Sequence, residues 1–258
     1  MDHVTSADGT DIAIDRTGSG PPVILVCGGS VDRMSNAGLA EQLAPHFTVL
    51  NYDRRGRGDS GDTPPYAVQH EIEDIDAVVG AAGGAAFLYG TSSGAALAME
   101  AAIRLDAITK LALWEPPFLP EGVPKPPADT AQTFTDLVEA GRRGDAVEFF
   151  MAKVLGLPPE FVQGARQAPF WAQTEALAHT LAYDATVMGD YSIPTDKASS
   201  VKVPTIVIAG GADFPWMPET AQTLAAALPD GQYQRLEGQG HDVDPTVLAP
   251  ALVGFFKA

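Results

Sequence analysis

The chain has 258 residues, 45% of them apolar and 19% charged, a composition that can bury a continuous core and excludes disordered and collagen-like chains. Lysine and arginine number 16 against 33 aspartates and glutamates, a net charge of -17. A surface of that sign repels phosphate backbones and anionic lipid, so neither nucleic acid nor a membrane is expected as a partner.

In chain order, Met1 to Gly20 lacks the basic-then-apolar pattern of a signal peptide, and a cytoplasmic protein is expected. Val4–Ser6 and Ile12–Asp15, split by Asp8-Gly9-Thr10, read as an opening hairpin. Val23–Cys27 is the first apolar core strand. It ends in the only cysteine, so no intrachain disulfide or cysteine-built zinc cluster is possible, and Cys27 reads as a buried thiol. A helix over Asn36–Leu43 leads to a strand at Thr48–Tyr52, then a helix over Glu71–Val79, whose carboxylates Glu71, Glu73, Asp74 and Asp76 read as a solvated face. Strand Ala86–Tyr89, helix Ala95–Ile103 and strand Lys110–Trp114 follow.

After Trp114 the rhythm breaks. Six prolines from Pro116 to Pro127 precede helical segments near Ala131–Glu139, Ala146–Leu155 and Trp171–Thr186, with no strand among them. A structureless loop of that length is implausible, so residues 116–203 are expected to form a helical cap inserted in a core made of residues 1–115 and 204–258. Strand Thr205–Ala209, helix Glu219–Leu228, strand Gln232–Leu236 and a last helix near Thr246–Phe256 complete the core. The alternation predicts an α/β fold with a mostly parallel, doubly wound sheet.

Gly90-Thr91-Ser92-Ser93-Gly94 lies between an expected strand and an expected helix and fits the G-x-S-x-G elbow, in which a sharp turn exposes a nucleophilic serine. A serine hydroxyl needs an adjacent base. Of five histidines only His241, in Gly238-Gln239-Gly240-His241-Asp242, follows a late strand in a loop. The acid that orients it is expected to be Asp213, after Gly210-Gly211-Ala212; Glu115, at the end of the strand Lys110–Trp114, is the rival. Asp242 and Asp244 read as loop or helix-capping residues. Gly56 to Gly61 matches G-x-G-x-x-G, but Pro64 and Pro65 follow it instead of a helix, which argues against a dinucleotide site.

These pieces, with Val26-Cys27-Gly28-Gly29 and Asp53-Arg54-Arg55-Gly56-Arg57-Gly58-Asp59-Ser60, resemble the α/β-hydrolase family over nearly the whole chain outside the cap. The resemblance implies an oxyanion hole made by the N–H groups of Gly29 and Ser93. It argues against the epoxide-hydrolase and haloalkane-dehalogenase branches, because the elbow holds Ser92 rather than an aspartate. This sequence departs from the family at Cys27, where members commonly carry histidine, and at Thr91.

The expected activity is hydrolysis of a small, largely apolar carboxylic ester or lactone through Ser92, Asp213 and His241, with no cofactor and no metal. Phe118, Trp171, Phe214 and Trp216 are the expected pocket residues. A carbon–carbon bond hydrolase, a cofactor-free haloperoxidase or perhydrolase, and a ligand-binding receptor built on this fold stay open as alternatives. The sequence also leaves a homo-oligomer open.

Overall fold

In the computed structural model, which describes residues 1–258, the chain opens with antiparallel strands β1 (Asp2–Thr5) and β2 (Asp11–Gly18). Six more strands follow: β3 (Pro22–Val26), β4 (Thr48–Tyr52), β5 (Ala86–Thr91), β6 (Ile108–Trp114), β7 (Thr205–Ala209) and β8 (Gly231–Arg235). All eight join one sheet in the order β1-β2-β4-β3-β5-β6-β7-β8. β2 runs antiparallel to β4, and every later pair is parallel.

The inner strands are covered on both faces, which is why they read as continuous apolar runs. Along β3, Val23 and Leu25 enter one layer while Ile24 and Val26 enter the other, as the two-residue period requires. On the first side lie α1 (Ala37–Leu43) and α11 (Pro245–Lys257), through Leu39, Leu43, Leu248, Leu252 and Phe256. On the opposite side lie α2 (Val68–Ala81), α3 (Ser93–Arg104) and α10 (Met217–Ala227). The Asp244 carboxylate accepts the N–H of Thr246 and caps α11, with Pro245 in its first turn.

Between β6 and β7 the chain forms α4 (Thr130–Glu139), α5 (Arg143–Phe149), α6 (Pro159–Ala165), α7 (Trp171–Ala176), α8 (Leu181–Met188) and α9 (Thr195–Ala198). A π-helical turn, Phe150–Val154, continues α5, and a 3-10 turn, Ala178–Thr180, separates α7 from α8 where the sequence suggests one helix. α6 is not visible in the sequence pattern: Pro158 and Pro159 look like breakers, yet Pro159 occupies the first helical position, where its missing N–H costs nothing. This helical insert has its own small core, including Phe134, Val147, Met151 and Leu181. Through α8 it packs on α2 and α3 of the sheet layer.

The topology fixes where a site can form. From β3 the chain passes to β4 on one side and later returns to β5 on the other, so the order reverses between β3 and β5. At such a switch point the loops leaving the two carboxyl ends diverge and open a crevice. The loop after β3 carries Gly28 and Gly29, and the turn after β5 is Ser92.

Candidate active site

Ser92 links β5 directly to α3 with φ 56° and ψ −130°. A non-glycine residue in that region is strained by roughly 1–3 kcal/mol and persists only where its surroundings hold it. Both elbow glycines are needed for close approach. A Cβ on Gly90 would lie 2.4 Å from the Gly94 carbonyl oxygen, and one on Gly94 would lie 2.3 Å from that of Cys27. The turn lifts Ser92 to the mouth of the crevice at the start of α3, whose first N–H groups have no acceptor within the helix.

His241 reaches the same place from the loop after β8. Its Nδ1 lies 2.8 Å from Oε2 of Glu115, the first residue beyond β6. Glu115 is buried, its ring partner is about a third exposed (31%), and Glu115 Oε1 accepts the N–H groups of Gly210 and Gly211 at 2.9 and 3.0 Å. The sequence reading that put Asp213 against the imidazole is therefore corrected. Asp213 is exposed, and its carboxylate accepts the backbone N–H of His241 at 2.7 Å, not a ring N–H. Glu115 immediately follows β6, next to β7 in the sheet, with φ 43°, which brings its side chain to the β7 exit. Asp213 lies four residues beyond the last residue of β7, in a loop that leaves the sheet edge. Trp114 steadies the arrangement by donating its indole N–H to the His241 carbonyl at 3.0 Å.

Ser92 and His241 line one cavity of about 660 Å³ together with Gly29 and Ser93. The N–H of Gly29 has no acceptor within the protein. Leu181, Ala185 and Met188 of α8 give the cavity an apolar wall, with Phe134 and Phe150 beyond them, and Phe214 and Trp216 line it as the sequence suggested. Phe118 and Trp171 do not. Phe118 is buried in the sheet layer, where its carbonyl accepts the Thr220 hydroxyl, and Trp171 is half-buried, packed against the core of the insert under the Arg166 guanidinium. At these two positions the aromatic side chains serve packing.

A model of the alpha/beta hydrolase family matches residues 23–253. The chain belongs to that family. An alpha/beta hydrolase from Sphaerobacter thermophilus is 53% identical and superposes with a TM-score of 0.92, covering 99% of this chain and 100% of the other. Among curated proteins, polyketide synthase ThaQ of Burkholderia thailandensis is 29% identical over 96% of this chain, which corresponds to 12% of the synthase. A pimeloyl-[acyl-carrier protein] methyl ester esterase of Xanthomonas campestris is 36% identical over 39% of this chain and 38% of its own length. The chain thus spans an eighth or so of the first relative's length and under half of the second's.

A buried ionic cluster under the crevice escaped the sequence reading. Arg54 pairs with Glu71 through two contacts of 2.7 Å, and Arg55 pairs with Asp74 at 2.7 and 2.8 Å. Glu71 and Asp74 are each 1% exposed, so the expected solvated face of α2 is corrected: half of its carboxylates face inward onto the arginine loop after β4. Arg54 and Arg57 converge on Asp184 of α8, which is buried and was not singled out. Burial pushes the Asp184 carboxyl up, but the Arg57 and Arg54 guanidiniums outweigh it and hold it below the ordinary range. Burial pushes the Glu71 carboxyl up as well, and there the Arg54 guanidinium outweighs it and holds the group low. The signal available in the sequence was three arginines within four residues at a strand exit, which demands acidic partners if the loop is buried. That same loop shows no helix before α2 at Val68, so Gly56 to Gly61 does not have the strand–turn–helix form of a dinucleotide fingerprint. No helix of the chain is long and apolar enough to cross a membrane.

Proposed function

We propose that this alpha/beta hydrolase is a serine hydrolase that cleaves a small, largely apolar carboxylic ester or lactone through an acyl-enzyme, with Ser92, His241 and Glu115 as its triad. The observation that carries the reading is the 2.8 Å contact between His241 Nδ1 and Glu115, with the imidazole sharing a cavity with Ser92. A carboxylate on Nδ1 keeps the proton there and leaves Nε2 free to accept one.

In this reading the Ser92 hydroxyl adds to the ester carbonyl as its proton passes to His241 Nε2. The tetrahedral oxyanion sits on the N–H groups of Gly29 and Ser93, and each such donor is worth about 3–4 kcal/mol in comparable sites. Collapse breaks the bond to the alcohol, which leaves with the proton from His241. Water then adds to the acyl-enzyme, giving its proton to His241, and the second collapse frees the acid and returns the proton to Ser92. Throughout, Glu115 orients the ring and offsets its positive charge. The apolar wall supplied by Leu181, Met188, Phe214 and Trp216 suits a hydrocarbon acyl or alkoxy group. The methyl ester esterase among the partial relatives is in keeping with ester chemistry.

Steady-state turnover of p-nitrophenyl esters tests the reading. Wild type should turn over many times, with Ser92→Ala slower by at least ~10³-fold and unchanged in thermal unfolding. Turnover by Ser92→Ala near the wild-type rate would overturn it.

A further inference from the structure

We propose that Asp184, carried by the helical insert, is a positioning residue that sets the oxyanion hole by holding both of its walls at once; the inference rests on the serine-hydrolase reading above. One wall is the start of α3. Asp184 Oδ1 accepts the Ser93 hydroxyl at 2.8 Å, tying down the residue whose backbone N–H faces the reacting carbonyl. The other wall is the loop after β3. Both Asp184 oxygens accept from Arg57 Nη2, at 2.8 and 2.9 Å, while Arg57 Nη1 donates to the carbonyls of Gly28 and Val31, which bracket Gly29.

Arg54 closes the arrangement. Its Nη1 donates to Asp184 Oδ1 at 2.8 Å and lies 3.4 Å from the Ser93 hydroxyl. The carboxylate also stands against the space a side chain at Gly29 would fill. A Cβ there would stand 3.0 Å from Asp184 Oδ2, so a glycine lets the acid approach this backbone.

A bare carboxylate beside a forming oxyanion would oppose it. Here two guanidiniums and a hydroxyl share the charge, so Asp184 can serve as a fixed anchor without presenting free negative potential. Because α8 belongs to the insert, the spacing of the two N–H donors depends on how that insert seats on the core. A displacement of a fraction of an ångström between oxyanion donors weakens transition-state binding more than substrate binding.

Asp184→Asn preserves volume and removes the charge. With p-nitrophenyl acetate, its kcat should fall about 10–100-fold while KM stays within about threefold. The inhibition constant of an alkyl trifluoromethyl ketone, which adds Ser92 to form a hemiketal oxyanion, should rise by the same factor. Ser93→Ala removes one link and keeps the backbone donor, so both quantities should shift about 3–10-fold in the same directions; this variant decides the matter if Asp184→Asn does not fold. Either of two results in folded variants would overturn the inference. One is kcat and ketone affinity within about twofold of wild type. The other is a raised KM with ketone affinity unchanged, which would make Asp184 merely a wall of the cavity. Wild-type protein without ester turnover would instead remove the serine-hydrolase reading, and this inference with it.

Discussion

The two flanks of Ser92 are built from opposite materials. On one flank His241 sits in a loop after the edge strand, about a third exposed (31%), beside an exposed Asp213 and an aromatic ring, Phe214, 5.8 Å away. On the other flank Arg54, Arg57, Glu71 and Asp184 form a buried cluster tied to two helical layers, with Asp184 reaching the cavity wall. In the proposed mechanism the difference follows from what each flank does. A base must exchange protons with water and tolerate a moving ring, whereas donors aimed at a developing charge gain strength from a dry, immobile setting. Glu115 joins the two kinds of surroundings: it is buried like the arginine cluster yet serves the open flank.

The largest effect that would break this comparison comes from the open flank. His241→Gln should lower kcat for p-nitrophenyl butyrate by about 10²–10⁴-fold, while Asp213→Asn, which keeps an oxygen for the His241 N–H, should cost less than about tenfold. Steady-state assays at one pH compare them, and an Asp213→Asn loss as large as that of His241→Gln would mean the exposed loop does more than shape the backbone.

On the buried flank the principal effect should be on stability. Glu71→Gln leaves Arg54 without one of its two carboxylates, and breaking a buried pair in this way costs about 3–5 kcal/mol. Urea unfolding should show that loss. A midpoint equal to wild type would mean that the cluster is wetter than its burial implies.

The smallest effect is on acid stability. Asp184 is held below its ordinary range, so its contribution is complete above the unfolded-state value near ~4 and declines as pH falls through the lower folded-state value. Asp53 and Asp74, which burial holds above their ordinary range, act in the opposite sense but are common to both proteins. Thermal unfolding from pH 5 to pH 2.5 should therefore fall less steeply for Asp184→Asn than for wild type, and parallel curves would contradict the assignment.

Much of the frame was legible in the residues. Thr48–Tyr52 and Thr205–Ala209 are strands over those same residues, because strands covered on both faces need largely apolar, β-branched or aromatic side chains. Ser92 sits between a strand and a helix, where the glycine spacing suggested. What failed was pairing across the fold. Nothing in the spacing says that Glu115 reaches further than Asp213, since that depends on a positive φ at Glu115 and on which strand lies beside β6. Glu71 and Asp74 resemble a wet helix face until the arginine loop is seen to lie against them, and Asp184 is one acid among many until α8 is docked. Charged residues advertise solvent in a sequence, so buried ion pairs are the contacts that composition hides best.

Time courses of fluorophosphonate labelling, followed by intact mass and peptide mapping, test the central assignment most directly, using wild type, Glu115→Gln and Asp213→Asn. The account predicts a single adduct on Ser92, formed at similar rates in wild type and Asp213→Asn, and at least about a hundredfold more slowly in Glu115→Gln, where the imidazole loses the carboxylate that holds it. An adduct on another residue, or slow labelling in Asp213→Asn with a normal rate in Glu115→Gln, would contradict it.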